Sequence, residues 1–163
     1  MILETLGRLA DGEGLGANVD EVSDNVIDIG ASGLSDPNNM GNVWLVITCD
    51  VAAGGSDGTI TFDLLVSANA DMASSTPVSV MQIVIPDILD HRVATAGAYI
   101  YRGTLPFEVW SIANAEGSTY TYLGLFVTQS AASTITYSAA ISNSKPPTDF
   151  NTQVIRSNVG TPT

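Results

Sequence analysis

The stretch Thr59-Ile60-Thr61-Phe62-Asp63-Leu64-Leu65-Val66-Ser67-Ala68 decides the fold class. Its apolar residues Ile60, Phe62, Leu64 and Val66 alternate with Thr59, Thr61, Asp63 and Ser67. A period of two places the two sets on opposite faces of an extended backbone, so this is a strand with one side buried. Upstream, Gly54-Gly55-Ser56-Asp57-Gly58 turns the chain, and residues 43–50 before it are apolar on both faces, as in a central strand. Val26-Ile27-Asp28-Ile29 reads as a short strand ended by Gly30, and Asp36-Pro37-Asn38-Asn39 marks a turn.

Downstream the pattern repeats. Residues 78–85 form a strand stopped by Pro86; residues 98–105 and 107–113 follow as strands separated by Pro106. Residues 119–129 place Thr119, Thr121, Leu123, Leu125 and Val127 on one face, and residues 134–141 do the same with Ile135, Tyr137, Ala139 and Ile141. Residues 87–96 have room for one helical turn. Val, Ile and Thr supply 44 of 163 residues against 29 unbranched helix formers, and branching at Cβ suits a pleated sheet better than a helix. About eight strands at such spacings, without helical segments between them, predict an all-β antiparallel sandwich, specifically a jelly roll.

The ends differ from this middle. Residues 1–25 scatter Gly7, Gly12, Gly14 and Gly16 among acids, and no apolar period persists. They read as an extended acidic N-terminal arm, with the sandwich at 26–142 and an extended C-terminal tail at 143–163 that opens on Lys145-Pro146-Pro147. The apolar groups on the arm (Met1, Ile2, Leu3, Leu6 and Leu9) and Phe150, Val154, Ile155 and Arg156 on the tail are the expected contacts with a neighbouring molecule.

Composition excludes several function classes. Five basic against 17 acidic side chains give a net charge of -12, which leaves no basic surface for nucleic acid. The start lacks the basic-then-apolar pattern of a secretory signal, and no apolar run is long enough to span a membrane. One cysteine, Cys49, permits no internal disulfide and no cysteine-based zinc site, and no cofactor is expected.

The chemical motifs are weak. His91 is the only histidine and no Gly-x-Ser-x-Gly elbow accompanies it, so it is expected as a surface-loop residue. Ser142-Asn143-Ser144-Lys145 and Ser23-Asp24-Asn25 match penicillin-recognising motifs by spacing but lack the companion Lys-Thr-Gly. Gly12-Glu13-Gly14-Leu15-Gly16 has no preceding apolar strand, and its acid would repel phosphate. Asp57-Gly58 and the loop at Asp71 lack the spaced acids of a calcium loop. A glycosidase would need a carboxylate pair across an aromatic-lined groove. A carbohydrate- or receptor-binding module would need exposed aromatics, with Trp44 or Trp110 accessible; both are placed in strands. No enzyme activity is expected.

Met1-Ile2-Leu3, Leu9-Ala10-Asp11 and Asn25-Val26-Ile27-Asp28-Ile29-Gly30, followed in order by Thr76-Pro77-Val78, Ile85-Pro86, Ala96-Gly97 and Leu105-Pro106, resemble the Bbp16-like capsid cement (decoration) proteins of tailed bacteriophages. The resemblance covers roughly residues 1–142; the chain departs from it in the tail and at Phe107, where a glycine is expected. It implies a jelly roll that forms homotrimers on the outer surface of the virion's capsid and holds neighbouring major capsid proteins together. It transfers no catalytic residue.

Overall fold

The computed structural model describes residues 5–15, 20–23, 25–30, 42–55, 57–73, 76–113, 115, 119–130, 133–143 and 145. Two antiparallel sheets pack face to face. Strands β1 (Thr5–Leu15), β4 (Trp44–Gly55), β7 (Tyr99–Thr104) and β9 (Ser133–Ser142) form one sheet in the order β1-β9-β4-β7. Strands β2 (Glu21–Val22), β5 (Ile60–Ser67), β6 (Val78–Ile85) and β8 (Tyr122–Gln129) form the other in the order β2-β8-β5-β6, and β3 (Ile27–Asp28) also pairs with β8. The all-β sandwich is as the alternation predicts.

β5 shows why. Ile60, Phe62, Leu64 and Val66 are all fully buried, with Phe62 opposite Val127 on one side and Ile83 on the other. The facing layer comes from Leu45, Ile47 and Cys49 of β4 and from Ile135, Tyr137, Ala139 and Ile141 of β9. Phe62 and Tyr137 meet across the interior edge-on, ring centroids 5.2 Å apart and planes at 82°. That arrangement sets a ring's positive edge against the other's negative face.

The N-terminal arm is corrected. Thr5–Leu15 is an edge strand along β9, and Leu9, Ala10 and Leu15 belong to the core. Glu21–Val22 pairs with β8, so the sandwich begins at Thr5 rather than at 26. Three register shifts, between Thr5 and Gly7, Arg8 and Ala10, and Ala10 and Glu13, break the period of two that would have revealed the strand. Gly12 takes φ +65°, a left-handed conformation that glycine adopts without steric cost.

Residues 107–113 are also corrected: they form helix α2 (Phe107–Ala113), not a strand. Pro106 starts it, with the Val109 N–H donating to the Pro106 carbonyl at 3.2 Å. Val109 and Trp110 are buried and Ile112 packs on the same core. Seven residues are too few for sequence periodicity to separate the two structures. Residues 87–96, which have room for one helical turn although Val93 and Thr95 disfavour it, do form one, α1 (His91–Ala94).

Candidate functional site

The loop from Pro86 to Ala98 lies at the end of the sandwich where β6 hands over to β7, and it holds the chain's one histidine. Its shape follows from two aspartates. Asp87 accepts the Leu89 N–H at 2.8 Å, closing a tight turn. Asp90 caps α1 by accepting the Arg92 N–H at 3.0 Å, and Arg92 returns its guanidinium to the same carboxylate at 3.0 and 2.8 Å. These hydrogen bonds from Arg92, with its charge, pull the Asp90 carboxyl down to about 2. Ile88 and Val93 are buried on either side, leaving Leu89 74% exposed.

This constellation is structural in its geometry. The His91 side chain is 88% exposed, with Nδ1 3.5 Å from an Asp90 oxygen that Arg92 already occupies. Cys49 fastens the loop to β4: its N–H donates to Ala98 O at 2.9 Å, and its carbonyl accepts from Gly97 at 2.7 Å. Its thiol donates toward the Val51 and Val93 carbonyls, each at 3.3 Å. Burial, reinforced by the Asp50 charge, pushes that thiol's pKa up, so it stays protonated and a poor nucleophile.

A second polar network crosses the outer face of the first sheet. The Gly12 N–H donates to Ser138 Oγ at 2.9 Å, Ser138 donates to Asp50, and Thr48 donates to the same carboxylate at 3.3 Å. It stitches β1, β9 and β4 together and uses the glycine-rich run as sheet rather than as a phosphate loop. Ser23 and Asn25 likewise serve the fold, since Ser23 Oγ accepts the Leu125 N–H at 3.2 Å. The Asp71 carboxylate accepts the Ala73 N–H at 3.0 Å, an ordinary turn contact. Among the described residues, no three His, Cys, Asp or Glu side chains gather as metal ligands, and no helix is long and apolar enough to cross a membrane.

The expected interface residues divide. Leu9 is fully buried within its own chain, so it cannot serve as a contact for a neighbour; the inward pleat of β1 claims it for the core. Leu6 lies in β1, its side chain outside the description. Met1, Ile2, Leu3, Phe150, Val154, Ile155 and Arg156 lie outside the described residues, as does the tail apart from Asn143 and Lys145. Lys145 Nζ sits 5.8 Å from the centre of the half-buried Trp44 ring, within reach of a cation–π contact. Trp110, on α2 rather than in a strand, is only 3% exposed.

Sequence reasoning missed a set of half-exposed apolar groups. Val78, Val80 and Met81 of β6, Tyr101 of β7 and Ile112 of α2 pack on the core yet remain partly exposed. The signal was present: Val78-Ser79-Val80-Met81-Gln82-Ile83-Val84-Ile85 carries no charge in a strongly acidic chain. No protein-family model matches the chain, and a search of curated proteins finds no match.

Proposed function

We propose that this chain is a capsid cement protein, binding the outer surface of a tailed phage's shell as a homotrimer and tying neighbouring major capsid proteins together. The observation that carries the reading is where the motifs of the resemblance fall. The strand orders β1-β9-β4-β7 and β2-β8-β5-β6 fit an eight-strand jelly roll in which β2 and β3 share one position. The motif residues Leu9 and Asn25 are hydrogen-bonded to each other, Ile85-Pro86 and Ala96-Gly97 bracket the α1 loop, and Leu105-Pro106 opens α2. Motifs scattered in sequence thus occupy the joints of one framework.

A fold of this kind serves many functions, so the proposal rests on the motifs and on what clamping demands. A cement protein adds contact area between subunits and needs no reaction centre. A hydrogen-bonded sandwich is a rigid spacer, and three copies on one axis turn weak single contacts into tight attachment through effective concentration. The net charge of -12 suits a basic rim on the shell and keeps the protein soluble at high copy number. The test is cosedimentation of purified protein with undecorated shells. Saturable binding at a fixed ratio to the shell protein is expected, and sedimentation no greater than that of an unrelated acidic protein would end the proposal.

A further inference from the structure

We infer that the side of the sandwich bounded by β6 and β7 is the face through which one copy of this chain meets another; the inference rests on the self-association in the proposed function, not on the capsid. The two open sides of the sandwich are built differently. On the β1 side the sheets are tied, because the Asn25 N–H beside β2 and β3 donates to the Leu9 carbonyl of β1 at 3.1 Å. On the opposite side β6 and β7 are the terminal strands among the described residues, where β6 pairs with β5 alone.

A terminal strand offers a row of backbone donors and acceptors to any strand that approaches, and proteins block unwanted pairing with charged side chains. β1 carries Arg8, Asp11 and Glu13, β2 carries Glu21, β3 carries Asp28, and β7 carries Arg102. β6 carries none, and its remaining protection is the register shift opposite Leu64 and Leu65. β6 itself presents the partly exposed Val78, Val80 and Met81, with Val84 45% exposed on the outer face, and Tyr101 of β7 is a further partly exposed apolar group on the core.

Charge identifies the occupant as a second copy. Two molecules of net charge -12 repel, and the approach costs least where neither presents an acid. A basic partner would be drawn to the acid-bearing edges instead. On the neighbouring strand, Asp63 of β5 lies opposite Gln82 and accepts from the Ser79 hydroxyl, so β6 engages the acid beside it and adds no charge of its own.

The experiment measures mass by light scattering during gel filtration of the full chain, with no shells present, so its outcome is independent of capsid binding. Wild type is expected as an oligomer at micromolar concentration. The double variant Gln82→Lys/Val84→Lys alters two exposed side chains and leaves the fold intact by circular dichroism. It should weaken association about tenfold or more, as charge on an edge strand does. Val51→Lys, an equally conspicuous change at a 58% exposed position of β4, should leave the mass unchanged. Hydrogen exchange of wild type supplies a reading free of variants: β6 amides should exchange more slowly as concentration rises. A monomeric wild type, equal effects of the β6 and β4 variants, or β6 exchange independent of concentration would each overturn the inference.

Discussion

The backbone N–H of Asn25 donates to the carbonyl of Leu9 at 3.1 Å, and this bond joins the edge of one sheet to the edge of the other. The chain is close-packed beside it: a Cβ on Gly7 of β1 would lie 2.6 Å from Cδ1 of Ile27 on β3. Thr5–Leu15, Glu21–Val22 and Asn25 therefore close the sandwich. Removing them takes Leu9, Ala10 and Leu15 from the core and uncovers β9. At ~1.5–3 kcal/mol per large buried side chain, plus the lost pairing, this approaches the ~5–15 kcal/mol that holds a domain together. The truncated chain should lack a cooperative urea transition. Leu9→Ala, retaining the strand, should cost ~2–5 kcal/mol in the same measurement.

Much of this fold is legible in the sequence because β5, β8 and β9 keep their buried apolar residues on a period of two, with outward positions that are mostly small or polar apart from Leu65, Tyr122 and Phe126. β1 is not legible, for two physical reasons. Its register shifts move successive apolar residues out of phase, and Glu13, which reads as arm chemistry, is in fact buried opposite Tyr137. α2 is hidden by its shortness. The α1 loop was legible as polar and irregular, but only the fork from Arg92 to Asp90 shows that its charges build the loop. The β6 edge was readable as an uncharged strand, whereas its terminal position depends on long-range pairing that no local pattern encodes.

Two glycines make unequal forecasts. A Cβ on Gly103 would stand 2.7 Å from Cζ of Tyr101, whose ring lies over that position and packs on the core. A Cβ on Gly124 would stand 2.5 Å from the terminal methyl of Met72, the far end of a flexible side chain that can swing away. Gly103→Ala should therefore destabilise by ~1–3 kcal/mol through overpacking, and Gly124→Ala by less. Paired chemical denaturation curves decide it, and a larger loss for Gly124→Ala would contradict this account of the two contacts.

The Asp90 carboxyl gives a pH signature. Its value in the folded chain, about 2, lies below the ordinary 3.8, so the folded state favours the ionised form. Its contribution is complete above the ordinary value and is lost as pH falls through about 2. Asp90→Asn removes the charge-assisted fork to Arg92 and should lower the melting temperature at neutral pH. That difference from wild type should shrink steadily below pH 4 as the native carboxyl protonates. His91→Ala, at a solvent-exposed ring, should leave stability near that of wild type. Thermal melts across the pH range measure all three.

The buried Cys49 thiol should resist alkylation in the folded protein at mildly alkaline pH, since burial and the neighbouring Asp50 both favour the protonated form. Iodoacetamide labelling followed by mass spectrometry should show slow native modification and rapid modification in urea. Cys49→Ser places a hydroxyl at the same two carbonyls and should fold with a modest loss of stability. Equal labelling rates with and without urea would mean that the loop carrying Val93 opens freely.

Because the arm is part of the sandwich, the tail becomes the separable candidate for the shell contact. Every residue of the described core falls between Leu9 and Ile141, so a chain ending after Lys145 should keep its circular dichroism and its melting temperature. It would lose Phe150, Val154, Ile155 and Arg156. Burying two or three such apolar side chains on a neighbour gains ~1.5–3 kcal/mol each, and ordering the tail subtracts part of it. A net loss of about 2–3 kcal/mol per subunit corresponds to roughly 30- to 150-fold in a single contact, multiplied when three tails engage one surface. Cosedimentation of full-length and truncated protein with undecorated shells should therefore show tight binding replaced by weak, salt-sensitive binding. Equal affinities would remove the tail from the interface and transfer the contact to the exposed Leu89 of the α1 loop and Phe107 at the start of α2, 74% and 61% exposed.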